Sequence, residues 1–353
     1  MALKSPWITA RVGQRLSYRM DRRVPLIAVV ILLFALGTLI TSVSYGEYNI
    51  PPLEVVRTIL NVNQDSPDYA NERLVIDSFR LPRIVLAFLV GAALATSGAL
   101  MQGITRNPLA DPYLLGVSGG AALVAVALIV VLKSVPVGLL PFATFAGALV
   151  TAGAIYLFAW RNGSSTPIRL ILIGIAVESL VGAGTTVMLL FGNIIDVQQA
   201  YIWLTGSVYA STWAQVYALG GWLIVLLPLA LLLARPLNAL NLGDDPAKGL
   251  GLRVERQRGL LLIVSVALAA AAVAVAGTIG FVGLVAPHIA RRLVGPAHEG
   301  LIPVSALLGG ALVMLADLIG RVAIAPSELP VGVVTAMIGA PYFLWLLYRS
   351  RNR

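Results

Sequence analysis

The chain has 353 residues, of which 58% are hydrophobic and only 12% charged, with a net charge of +9 and no cysteine. So much apolar surface excludes an ordinary soluble globule, which carries about 25% charged residues, and makes lipid the solvent. The lack of cysteine excludes disulfides, thiol catalysis and Cys-type metal sites, and in a membrane chain a positive excess belongs to cytoplasmic loops rather than to nucleic-acid binding.

Residues 1–23 carry six basic side chains (Lys4, Arg11, Arg15, Arg19, Arg22 and Arg23) and read as a basic cytoplasmic segment. The apolar stretch 24–43 is too long for a signal-peptide core, and no small-residue cleavage site follows it closely. It is read as the first span of one transmembrane domain, 24–353. Further spans are expected at 84–103, 113–132, 139–160, 169–191, 214–234, 259–278, 279–294, 301–320 and 331–348. The fold expected is therefore an all-α polytopic membrane protein with ten transmembrane helices.

The number ten rests on one break. Gly259 to Ala290 holds no charged residue, too long for one untilted helix and short for two. "AGTIGF" (276–281) supplies a glycine-rich interruption. With ten crossings both termini lie inside, along with nineteen of the 25 Lys/Arg. Six remain outside: Arg57, Arg73, Arg80, Arg83, Lys133 and Arg321. Nine crossings would turn Arg291, Arg292 and the C-terminal arginines outward, against the positive-inside rule.

The largest outer segment, 44–79, contains the acids Glu47, Glu54, Asp65, Asp68, Glu72 and Asp77. Within it "PPLEVVRTIL" (51–60) pairs a helix-starting proline with apolar residues at helical spacing, and is expected along the membrane surface. "DVQQAYIWLTGSVYASTW" (196–213) carries two Trp and two Tyr, which favour the interface. Small residues crowd the spans, as in "VGAALATSGALMQG", and let helices approach closely in lipid. Residues 93–112 resemble 272–291 in their small residues and proline, the pattern an inverted transporter repeat would leave.

Several motifs have both a bland and a functional reading. "LGDDPAKGLGLRVERQR" (242–258) is a polar island between greasy stretches. Asp245 reads as an N-cap and Pro246 as the first helical residue, with Gly249 and Gly251 ending a short helix on the inner face. Either this is a solvated connector, or it is a handle; connectors are commonly far shorter. "RLPR" (80–83) and Arg321 sit at outer helix ends. They either snorkel to headgroups or form a basic rim for carboxylates, which Arg pairs bidentately. "TRNPLADPYLLGVSGG" (105–120) is a rigid inner turn. Glu178 lies within the fifth span, where a carboxylate marks a pathway or a buried pair. Asp317 and Arg321, one turn apart, suggest a local ion pair. His288, beside a proline, and His298, in a loop, read as structural. No phosphate loop, nucleophile elbow, zinc motif or dinucleotide fingerprint occurs.

"RLPR", "GALMQGITRNPLADPYLLGVSGG", "LGDDPAKGLGL", "GTIGFVGLVAPHIARRLVG" and "ELPVGVVTAMIGAPYFLWLL" together resemble the iron-complex permease family over about residues 24–348. These are the membrane subunits of bacterial ABC importers for ferric siderophores, haem and cobalamin. The resemblance implies a type II importer permease of ten helices in the bacterial inner membrane, a non-enzymatic subunit with no cofactor of its own. The implied partners are a second permease subunit, identical or paralogous, two cytoplasmic ATPases that bind Mg-ATP, and a periplasmic binding protein. It implies that Arg80, Arg83 and Arg321 receive glutamates of the binding protein. It also implies that Gly243, Asp244, Asp245, Pro246, Ala247, Lys248, Gly249, Leu250 and Gly251 seat in the ATPase. "GSSTPI" (163–168) matches the cytoplasmic gate, with Ser165, Thr166 and Pro167; Pro167 departs from the polar gate of the cobalamin member. "YIWLTGSVYASTW" leans the ligand toward a ferric siderophore over haem or cobalamin. The rivals are a proton-driven secondary transporter with Glu178 as carrier, and a scaffold that transports nothing.

Overall fold

A computed structural model describes residues 7–12, 16–46, 48–62, 68–132, 137–161 and 163–350. Lys4, Arg15, Glu47, Asp65, Lys133, Arg351 and Arg353, all used in the charge reading, lie outside the described residues. The basic N-terminal segment contains an antiparallel pair, β1 (Trp7–Val12) and β2 (Leu16–Asp21), with Trp7 opposite Asp21.

Helices form nearly everything else. α1 (Arg23–Ser44) is followed by α2 (Pro52–Ile59), which starts at its proline as expected. α3 (Tyr69–Leu74) runs through a π-helical turn, Val75–Arg80, into α4 (Leu81–Thr105). α5 (Val117–Val126) continues as a π-helical turn to Leu132, and α6 (Leu140–Ala159) follows. A two-residue pair, β3 (Trp160–Arg161) with β4 (Ser164–Ser165), leads into α7 (Pro167–Leu190). Then come α8 (Ile194–Leu204), α9 (Trp213–Leu232), α10 (Ala234–Asn241) and α11 (Asp244–Gly249). The chain closes with α12 (Val254–Ala276), α13 (Val282–Val294), α14 (His298–Val322) and α15 (Val331–Ser350).

Among the described residues, 8 helices are long and apolar enough to cross a membrane. The expected third and eighth spans are shorter, at Val117–Leu132 and Val282–Val294. Each loses residues for a local reason. Asp111 accepts the Tyr113 N–H at 2.9 Å and winds Pro112–Leu115 into a 3-10 turn before α5. Gly277, at φ +69°, ends α12 with its Cα against the Trp203 carbonyl, where a Cβ would lie 2.2 Å from oxygen. The chain is not helical again until Val282. Across this interruption the Tyr113 hydroxyl donates to the Ile279 carbonyl at 2.9 Å and accepts the Ile279 N–H at 3.0 Å.

The core is α4, packed most extensively against α14 and α12. Gly91 and Gly309 face each other so closely that a Cβ on Gly91 would sit 2.1 Å from the Gly309 carbonyl oxygen. Gly98 meets Gly283 of α13 in the same way. Ser97 donates to the Ser265 carbonyl at 2.6 Å, and Ser265 donates back to the Ser97 carbonyl at 3.0 Å. In lipid, where apolar burial gives helices little reason to associate, such close approach and interhelical hydrogen bonds hold the bundle. α7 lies at the periphery, with long apolar side chains such as Leu172, Leu180 and Leu190 exposed.

Candidate functional site

α4 connects two polar clusters. At its beginning, Arg80, Arg83 and Arg321 line an open hollow of about 730 Å³ with Tyr45, Tyr48, Tyr209 and Glu328. The structure thus brings the three arginines together, but they do not snorkel. Arg80 and Arg83 are buried, and each has different partners. Arg83 is paired twice: Nη2 lies 2.8 Å from Asp317 and 2.9 Å from Glu328. Arg321 donates to the Ser42 carbonyl at 3.0 Å and has Asp317 at 3.4 Å, so the expected Asp317–Arg321 pair is there but shared with Arg83. Among the described residues Arg80 hydrogen-bonds only to the carbonyls of Val43 and Tyr48. Among those residues its positive charge is met by dipoles and by no carboxylate. In electrostatic terms Arg80 is the most available of the three for an added carboxylate.

At the far end of α4 the polar island folds as a short helix, α11, two residues earlier than the sequence suggests. The N-cap position is Gly243, at φ +123°, so Asp245 and Pro246 both lie inside the helix. Asp244 caps nothing because its carboxylate is drawn to two arginines. It accepts from Arg106, at the left-handed C-cap of α4, and from Arg258 of α12 through both oxygens at 2.9 Å. Gly251, at φ +83°, turns the chain out of the helix. Of the helix itself only Ala247 is buried. Asp245, Pro246, Lys248, Gly249 and Leu250 face outward, and Lys248 reaches Asp245 at 3.4 Å.

Burial pushes the Asp244 carboxyl up, but the guanidinium groups of Arg258 and Arg106 outweigh it and hold the pKa below the ordinary 3.8. A depressed carboxylate pKa contributes stability above its unfolded value and loses it as pH falls through the folded one. The native chain should therefore melt above the Asp244→Asn variant at pH 7 and lose that margin only below about pH 4. Melting curves in detergent from pH 7 to 3 check this; a margin that vanishes near neutrality would contradict the assignment.

The expected gate residues touch the same cluster. Ser165 is fully buried. Its N–H and hydroxyl both donate to Glu255 Oε2, at 3.1 and 3.2 Å, and its carbonyl accepts from Arg258 at 2.5 Å. Thr166 is the N-cap residue of α7 and accepts from Arg169 at 3.2 Å, and Pro167 opens the helix. Glu178 stands apart and faces α5. The Ser118 hydroxyl donates to it at 3.2 Å, and Gly119 passes so close that a Cβ would lie 2.4 Å from Glu178 Oε2. His298 is not in a loop: it begins α14, buried, with Nδ1 2.7 Å from Asn238 Oδ1. His288 stacks edge-on to Tyr342.

Sequence reading passed over Arg106, Glu255 and Arg258. The available signal was local: Glu255 and Arg258 stand i,i+3 on one face at the start of a helix that is apolar beyond Arg258.

Residues 31–349 match the model of the FecCD transport family. The chain belongs to that family. It is 41% identical over 334 residues to the iron(3+)-hydroxamate import system permease protein FhuG of Bacillus subtilis, covering 92% of this chain and 98% of the relative. It is 46% identical over 275 residues to the cobalamin import system permease protein BtuC of Halobacterium salinarum, covering 78% of this chain and 73% of the relative. Among solved structures, a metal-chelate type ABC transporter in an inward-facing conformation aligns with a TM-score of 0.81 at 32% identity, covering 92% of this chain and 99% of that one. Like other FecCD members, the chain is a multi-pass membrane permease subunit rather than a catalytic one.

Proposed function

We propose that this FecCD chain is the membrane-spanning subunit of an ATP-driven importer that carries a ferric siderophore to the cytoplasm. The polypeptide crosses ten times in this reading, with α5 and α13 as the short crossings and both termini in the cytoplasm. That places α11 inside and the arginine hollow outside, in the bacterial cytoplasmic membrane. The observation that carries the reading is α11: a helix of 6 residues that buries only Ala247, flanked by exposed Leu242 and Leu250. A connector needs no such helix; a surface gripped by another protein does. The gripping partner is one of two ABC ATPases, which bind Mg-ATP. A second permease subunit, a copy or a paralogue, completes the pathway.

The hollow is the dock for an extracytoplasmic binding protein that presents carboxylates. Loaded receptor docks there, ATP turnover shifts α11, and the helices swap which side of the path is open. The siderophore assignment follows the hydroxamate relative, which matches across nearly its full length; the cobalamin relative matches over a shorter stretch. Haem or cobalamin is the alternative ligand of the same machine.

Reconstitution of the subunits with loaded receptor tests the reading. Uptake that needs ATP supports it; uptake that follows a pH gradient and ignores ATP would favour a proton-coupled carrier using Glu178. Within it, Arg80→Glu should weaken receptor docking by about 2 kcal/mol or more, roughly 30-fold in Kd. Titration of labelled receptor onto the complex measures this, and unaltered affinity would remove Arg80 from the dock.

A further inference from the structure

Gly243 and Gly251 flank α11 with left-handed backbone, at φ +123° and +83°. A six-residue helix hung between two such glycines has a permissive backbone position at each end, where it can turn as a unit. What ties it down is side-chain chemistry, and Arg258 does most of the tying.

Arg258 is 1% exposed, although it stands only one turn into α12. Nη2 donates to both carboxylate oxygens of Asp244 at 2.9 Å. Nη1 donates in another direction, to the Ser165 carbonyl and to Glu255 Oε1, both at 2.5 Å. Glu255 closes the loop by accepting the Ser165 N–H and hydroxyl through its other oxygen. One planar guanidinium thus joins the first residue of α11 to the residue just before the N-cap of α7. The fork geometry matters: a lysine ammonium is a compact point charge and cannot hold a bidentate carboxylate on one side and a carbonyl on the other in fixed directions. Arg106 adds a second tie, from Asp244 to the end of α4 and the Leu240 carbonyl at 2.8 Å, but it does not reach Ser165.

We propose that Arg258 is the positioning residue that transmits movement of α11 to the entrance of α7, turning this glycine-flanked helix into a lever on the 163–168 loop. This rests on reading α11 as the ATPase-facing helix. A buried pair that serves stability alone would anchor both segments without making one follow the other.

The test compares the native complex, permease with its ATPase and loaded binding protein, with the same complex carrying Arg258→Gln. Hydrogen exchange is followed by mass spectrometry over residues 242–253 and 160–170, without and with ATP. In the native complex ATP should change exchange in both segments. In the variant it should change 242–253 and leave 160–170 as it was, and ligand moved per ATP hydrolysed should fall at least tenfold. Arg258→Lys should share the defect. If Arg258→Gln yields no folded complex, Glu255→Gln, which weakens the Ser165 contacts and the Glu255–Arg258 pair but leaves Arg258 on Asp244, should still lower that ratio at least threefold. Variants in which both segments respond to ATP as in the native complex, with the native transport ratio, would overturn the proposal. A native complex that shows no ATP-dependent uptake would instead overturn the importer reading beneath it.

Discussion

Arg83→Gln will destabilise the folded chain by about 3–5 kcal/mol, the usual cost of removing one partner from a buried ion pair. The geometry puts this pair at the severe end. The Arg83 side chain is 10% exposed and that of Asp317 1%. Without the guanidinium, Asp317 keeps, among the described residues, Arg321 at 3.4 Å. The energy lost is mostly that of an orphaned charge, not that of the contact. The double variant Arg83→Gln with Asp317→Asn should therefore recover only part of the loss: Asp317 is then neutral, but Arg321, its side chain 9% exposed, has lost its carboxylate. Glu328→Gln alone should cost about 1 kcal/mol or less, since that carboxylate is partly solvated. Melting in detergent reads all three. A double variant no more stable than the single would mean that Asp317 does not depend on Arg83.

Gly98→Ala should abolish or nearly abolish recovery of folded protein. A Cβ there would stand 1.8 Å from the Gly283 carbonyl oxygen, whereas ordinary contact is about 3.5 Å. No rotamer relieves the overlap, because the backbone fixes the Cβ position and the oxygen it meets is itself backbone. α4 and α13 would have to separate, taking the Gly91–Gly309 contact of the same helix with them. The cost should be about 3 kcal/mol or more, the upper end for overpacking. Gly153→Ala is the control. Nothing lies within 4 Å of its Cβ position, and an alanine in a helix interior gains about 0.5–1 kcal/mol over glycine. Yield of monodisperse protein by size exclusion separates the two cases; equal yields would show that the helices are not in close backbone contact.

How much of this the sequence displayed depends on how far apart the partners lie along the chain. The apolar runs, the interruption at 276–281 and the short helix in the polar island were legible because each is a local pattern. So were the arginines at helix ends, though not their partners. Arg83 meets Asp317 across 234 positions, and Arg258 meets Ser165 across 93. In a charge-asymmetry reading Arg258 was one more inner-side positive charge. The misplaced start of α11 has a similar cause: "DDP" suggests a cap followed by a proline, but Asp244 is engaged by two arginines from distant helices, and Gly243 supplies the turn. Residues 7–21 were read for charge alone, and the strand pairing there went unread. His298 was assigned to a loop because it falls between the expected spans 279–294 and 301–320, yet Asn238 Oδ1 accepts from its backbone N–H and lies 2.7 Å from its ring Nδ1.

The Tyr113 hydroxyl has a consequence for the membrane as an insulator. A helix interrupted in lipid exposes peptide groups that would otherwise draw in a file of water. Here one phenol satisfies both the donor and the acceptor of Ile279, so that residue calls for no water. A membrane permease must still block protons at such a gap. Tyr113→Phe, at the cost of one oxygen atom, would leave both groups of Ile279 to be met by water, a flaw in the insulation against the cell's electrochemical gradient.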